Sequence, residues 1–194
     1  ANPNVSKFSS TDARERENAY KHTLKTIEFA DRLSAKLIVL HMGEISMRNY
    51  TDKLISLLEA GKQDTPKYQR LCQKAEIKRE KAKAKYCENA YDMLERIVEQ
   101  ASMRDIKLGI EIREDLEEIP LDSDWDFFFQ RFNDPTVCYW HDIGHAQIKE
   151  NLGFIHHRLH LESMASRLGG FHLHDVEFPA RDHRPPGKGM IDYE

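Results

Sequence analysis

Four short apolar runs, each closing on a His, Glu or Asp, constrain this chain more than any other feature. They are "KLIVLH" ending at His41, "KLGIE" at Glu111, "CYWHD" at Asp142 and "GGFH" at His172. A continuous apolar run of this length between helical stretches predicts a strand covered on both faces, as in a parallel sheet. The ends of parallel strands all point to one side of the sheet, which is where such folds build their sites. The four terminal residues are therefore expected to meet. The first run, within "AKLIVLHMG" (35–43), is expected to be buried on both faces.

The intervening segments carry helical periodicity. Ala19, Leu24, Ile27, Ala30 and Leu33 recur at helical spacing, with Ser10 or Thr11 as the expected N-cap. Residues 49–104 read as a charged helical excursion, broken around "GKQDTP" (61–66). Its lysines and arginines (67–86) are interleaved with Glu76, Glu80 and Glu88, so the segment reads as a solvated helix rather than a phosphate-binding face. "DWDFFFQRF" is a compact helix capped at Asp122 or Ser123, and "HHRLHLESMASRL" another. In the latter, His156, His157 and His160 are expected at the surface, and "GKGMIDY" reads as a helix start. Strand and helix alternate throughout, which predicts an α/β fold with parallel strands and outer helices.

Composition narrows the function classes. Net charge is −4, so no global basic field is present to hold a nucleic-acid backbone, and no nucleic-acid partner is expected. No run approaches the roughly 18 apolar residues of a membrane helix, so no membrane association is expected. Cys72, Cys87 and Cys138 are odd in number and form no CxxC pair. They point to a reduced, cytoplasmic setting. A homo-oligomer is compatible with all of this.

Eight of the ten histidines lie between His141 and His183. His, Glu, Asp and His from four strand ends form a mixed nitrogen and oxygen donor set. It suits Mn²⁺, Co²⁺, Zn²⁺ or Fe²⁺ better than an all-oxygen magnesium cage. Glu111, inside "LGIEI", needs a cation or an arginine beside it if buried, and Arg113 on the same strand face is the alternative partner. Asp142 reads equally as a helix cap before "IGHA", with His145 three residues on. His172 and His174 alternate onto one strand face, leaving open which of them binds.

The succession "LHMG", "GIEIRED", "WHDIGHA", "FHLHDV" and "DHRPPGKGMIDY" resembles the xylose isomerase-like (β/α)₈ barrel superfamily, which includes endonuclease IV and many sugar (phosphate) isomerases and epimerases. The resemblance covers essentially the whole of 1–194 and implies one TIM-barrel domain. Only four of its eight strands are evident, so the barrel is expected to be incomplete, lacking the first and last strands and the fourth ligand, a glutamate on a later strand. Glu194 comes too early to be that ligand. The resemblance implies Glu111, Asp142 and His172 as metal ligands, with manganese as the first choice and zinc, cobalt or magnesium as alternatives. Glu111 and His145 are implied as catalytic, and His41, His145, His183 and Arg113 as substrate contacts. Asp175 is implied to tie down the "DHRPPGKG" loop, where Gly187 and Gly189 allow a tight turn and close backbone approach.

The implied activity is isomerisation or epimerisation of a small carbohydrate (a sugar, sugar phosphate or polyol) by proton transfer through a metal-stabilised enediolate. The alternatives are an endonuclease IV-like apurinic-site phosphodiesterase, which the net acidity disfavours, a lyase or dehydratase acting on keto-sugars or inositols, and a non-catalytic module.

Overall fold

A computed structural model describes residues 6–193 and everything but the side chain of Ser123 within them. The chain runs α1 (Ala13–Arg32), β1 (Leu37–Leu40), α2 (Thr51–Glu59), α3 (Pro66–Ser102) and β2 (Lys107–Glu111). It continues through α4 (Trp125–Arg131), β3 (Val137–Asp142), α5 (Ile143–Asn151), α6 (His157–Met164) and β4 (Leu168–His172) to a hairpin, β5 (Asp175–Glu177) and β6 (Arg181–Arg184). The first four strands form one sheet in the order β1-β2-β3-β4. All three pairings are parallel, with Leu40 opposite Ile110, Glu111 opposite Trp140, and Asp142 opposite His172. This is an open arc of a TIM barrel, wrapped by helices.

Local chemistry sets the boundaries. The α1 helix begins at Asp12, whose carboxylate accepts the Arg14 N–H at 2.8 Å. The cap lies one or two residues beyond the expected Ser10 or Thr11: the Ser10 hydroxyl donates to Glu15 and accepts the N–H of Asp12, ahead of the helix. Ala19, Thr23, Ile27 and Ala30 form its buried stripe, while Leu33 lies beyond the last turn and is exposed. In α3, Thr65 caps the start with Pro66 at the first helical position, where a missing N–H costs nothing. The compact aromatic helix is led by a 3₁₀ turn, Asp122–Asp124, in which Asp124 takes the Leu121 N–H. Asp122 is not the cap: it pairs with His160. Ser123's side chain lies outside the described atoms.

Three further expectations need correction. Leu37, Ile38 and Val39 are only half-buried, because β1 is an edge strand of the arc. His160 is buried and His157 half-buried, leaving only His156 of that trio exposed. Three residues apart on α6, His157 and His160 share the face packed on β3. There His157 Nε2 meets His141 Nε2 at 3.0 Å, and the Tyr139 hydroxyl bridges His141 Nδ1 (2.7 Å) and His160 Nε2 (3.1 Å). Finally, "GKGMIDY" forms no helix. Its backbone turns at Gly187 (φ +79°) and spends the N–H groups of Gly187, Gly189 and Ile191 on Asp175.

Candidate metal and substrate site

Glu111, Asp142 and His172 are the last residues of three adjacent parallel strands, and the register sets them side by side. One donor atom from each lies within 4.8 Å of the others. His172 Nδ1 stands 2.6 Å from Glu111 Oε1 and 3.2 Å from Asp142 Oδ2. Both carboxylates are buried, and the His172 side chain is 44% exposed, leaving that side of the cluster open to solvent.

The second oxygen of Glu111 is held by His41 Nε2 at 2.7 Å and by Arg113 Nη1 at 3.0 Å. Arg113 is therefore a real partner of Glu111, yet it occupies only Oε2 and leaves Oε1 turned to His172. Burial alone pushes the Glu111 carboxyl up. The His41 hydrogen bond and the Arg113 charge oppose it and hold the pKa below the ordinary carboxylate value. The group stays ionised over the whole working range, as a cation ligand must.

Asp142 divides its two oxygens as well. Oδ1 caps α5 by accepting the His145 N–H at 2.9 Å and also meets His174 Nε2 at 2.8 Å. Oδ2 faces His172. Cap and cluster member are the same residue. His145 Nδ1 lies 2.9 Å from the Ile112 carbonyl, so Nδ1 carries the proton and Nε2 keeps a free lone pair. Burial drives the His145 pKa down, which favours that neutral form.

The loop after β2 and the hairpin strand β6 add two donors that the sequence reading passed over, Glu114 and Asp182. Asp142, His145 and His174 form one further close group, Glu114, His145 and Asp182 another, and His174, Asp182 and His183 a third. The His183 ring stacks on His174 at 4.4 Å between centroids, and its Nδ1 binds Asp182 at 2.7 Å. Asp182 and Glu114 left no trace in the apolar pattern because both sit on loops or hairpin edges, where periodicity is silent. Asp175 points away from this cluster. Its carboxylate gathers the N–H groups of Val176, Gly187, Gly189 and Ile191, tying the loop down.

The donor chemistry fits a divalent cation. Two buried carboxylates and one imidazole supply three donors, the protein-ligand count common in catalytic rather than structural sites, and a mixed N/O set suits first-row divalent metals.

The profile of the family described as "Xylose isomerase-like TIM barrel" matches residues 1–194. The chain belongs to that family. Among solved structures, a D-tagatose 3-epimerase-like protein is 19% identical, with a TM-score of 0.67 over 97% of this chain and 59% of its own. A D-allulose 3-epimerase from Methylomonas sp., solved with D-allulose, is 14% identical, with a TM-score of 0.65 over 97% of this chain and 53% of its own. A 3-keto-D-glucoside 4-epimerase from E. coli is 12% identical, with a TM-score of 0.62 over 97% and 60% respectively. At these identities the likeness establishes the fold. The chain spans between half and three-fifths of the length of these three proteins. No curated protein matches it.

Proposed function

We propose that this chain carries the metal-binding half of a sugar isomerase or epimerase site, within one barrel domain in which 49–104 is a helical excursion. The observation that carries the reading is the meeting of Glu111, Asp142 and His172 at the ends of three neighbouring strands. The fold neighbours, two named as epimerases and one as epimerase-like, all for small carbohydrates, support the same substrate class.

In this reading Glu111, Asp142 and His172 hold a divalent ion, manganese first and zinc, cobalt or magnesium otherwise. When bound, the ion supplies positive charge that stabilises the oxyanion formed as a carbon-bound proton leaves. Glu111 is the acid–base carboxylate, and Arg113 and His41 fix its angle through Oε2. His145 presents a neutral Nε2 to a substrate hydroxyl, its ring locked by the Ile112 carbonyl. His41 and Arg113 line the same carboxylate, and His183 edges the opening from the hairpin side. The acidic net charge and the ring of carboxylates suit an uncharged polyol better than a polyanion.

The test is solvent-deuterium incorporation into a panel of ketoses and inositol derivatives with Mn²⁺ present. Incorporation at one carbon is the expected result. A metal-loaded protein inert toward the whole panel removes the reading. A phosphodiesterase has one observation in its favour, the extra donors at His174, Asp182 and His183. Cleavage of duplex DNA at an abasic site by the same sample would select it.

A further inference from the structure

Arg79 lies on α3, far along the chain from any strand end, yet only 2% of it is exposed. We infer that Arg79 is a positioning residue for Glu111, acting through the loop at 113–118. The inference rests on the reading of Glu111 as a cation ligand.

The guanidinium spends all its bonds on one side. Its Nε donates to the Leu116 carbonyl at 2.9 Å and Nη2 to the Glu118 carbonyl at 3.0 Å. Nη1 and Nη2 both reach the Asp124 carboxylate, at 3.2 and 2.5 Å. Lys83, one turn on, meets the same carboxylate at 3.0 Å. The buried charge is thereby paired, and what remains of its donor fork grips two carbonyls of one loop. That loop delivers Glu118. Glu118 Oε1 accepts Arg113 Nε at 3.0 Å, and its Oε2 accepts the Asp115 N–H at 3.2 Å. Arg113 then turns its Nη1 onto Glu111 Oε2 at 3.0 Å.

The path is continuous: Arg79, the backbone of Glu118, the Glu118 carboxylate, Arg113, Glu111. Apart from the Glu118 side chain itself, which joins its backbone to its carboxylate, every link is a hydrogen bond with at least one charged partner, the stronger class. A lysine at 79 could neutralise Asp124 but could not span Asp124 and two carbonyls, because a planar fork is needed for that. Other contacts hold the same loop: the Glu117 carboxylate takes the Tyr50 N–H and the Thr51 hydroxyl at 2.7 Å each. The loop therefore stays folded when one clamp is loosened. What Arg79 adds is the setting of Glu118 and, through Arg113, the angle of the Glu111 carboxylate. Partners that orient a metal ligand from outside alter its affinity for the ion.

The experiment compares wild type, Arg79→Lys, Glu118→Gln and the double variant. Mn²⁺ dissociation constants come from the paramagnetic resonance of free Mn²⁺, well below each variant's melting temperature. Each single change is expected to weaken Mn²⁺ binding about ten-fold. The double variant should lose no more than either single one, since both cut the same path. Arg79→Lys within two-fold of wild type, or losses that multiply in the double variant, overturns the inference. If Arg79→Lys does not fold, Glu118→Gln, which leaves the Arg79 bonds in place, must show the loss alone. A second readout needs no ion: the ring NMR shift of His41, whose Nε2 lies 2.7 Å from Glu111 Oε2. A wild type that binds no Mn²⁺ while this shift moves in Arg79→Lys sinks the metal-site reading and leaves the positioning path standing. An unmoved shift sinks the path.

Discussion

Glu111 is held from three directions: His41 and Arg113 sit on one oxygen and His172 on the other. Glu111→Gln keeps the shape but removes the charge that these partners face. It should abolish deuterium exchange into substrate while leaving the far-ultraviolet circular dichroism unchanged; exchange at wild-type rate would deny the residue its acid–base role. The choice between the two histidines of "HLHD" is also a residue-scale question. His172 Nδ1 reaches both carboxylates, whereas His174 Nε2 reaches only the cap oxygen of Asp142. His172→Ala should weaken Mn²⁺ binding by more than about 100-fold and His174→Ala by about 10-fold, the range for an outer partner. Isothermal titration with Mn²⁺ measures both, and a reversed order would exchange the two roles. The alternation of a strand leaves these histidines equivalent. They differ because β4 ends at His172, so the strand's alternation does not carry through to His174.

At the scale of elements, the strand β5 and the helix α5 each carry a titrating group with a consequence for stability. Burial pushes the Asp175 carboxyl up, but the N–H groups of Ile191, Gly189, Val176 and Gly187 outweigh it and hold its pKa below the ordinary value. Its stabilising effect is therefore complete above the unfolded carboxyl's pKa of about 4 and fades as pH falls further. Gly189 is the steric counterpart. A Cβ there would sit 2.3 Å from both Asp175 Oδ1 and the Val176 carbonyl, and backbone cannot give way. Gly189→Ala should cost about 1–3 kcal/mol in urea unfolding, the usual range for overpacking. In α5, Lys149 is fully buried, and loss of hydration brings its pKa down to about 7. Between that value and the ordinary lysine value of about 10.4, the unfolded chain binds the extra proton, so stability rises with pH. Below pH 7 the full burial penalty applies. Lys149→Met should raise unfolding stability at pH 6 by at least about 1 kcal/mol, and the gain should shrink toward pH 10. A gain that does not vary with pH would place the effect in packing rather than charge.

For the molecule as a whole, the proposed cation would act as a stabilising ligand. Free Mn²⁺ at a hundred times its dissociation constant contributes about 2.7 kcal/mol. At this chain length that corresponds to a rise in Tm of about 5–10 °C, reversed by EDTA. A melting curve indifferent to both would mean that no ion is bound. No helix among the described residues is long and apolar enough to cross a membrane. Much of the arc was legible from the pattern alone. The runs ending at His41, Glu111, Asp142 and His172 predicted parallel strands because an apolar stretch flanked by helices has few other ways to be covered. The helical break at 61–66 was legible for a similar reason, since Thr-Pro is a start signal. What failed was the burial of residues covered, or left uncovered, by a neighbour distant in sequence. His160 looks like a surface residue until α6 lies on β3, and β1 looks doubly covered until it becomes the edge. Arg79 looks like one charge among many on a solvated helix; only packing shows it gripping Leu116 and Glu118.

The sequence by itself determined that Glu111, Asp142 and His172 close their strands and that His41 follows directly on β1, because side-chain hydrophobicity and chain connectivity are local properties. Only the tertiary structure decided which atoms of those residues face one another. Register, the approach of His172 to Glu111, and the grip of Arg79 on the loop that carries Glu118 all arise from contacts between segments tens of residues apart, and no short stretch encodes such contacts.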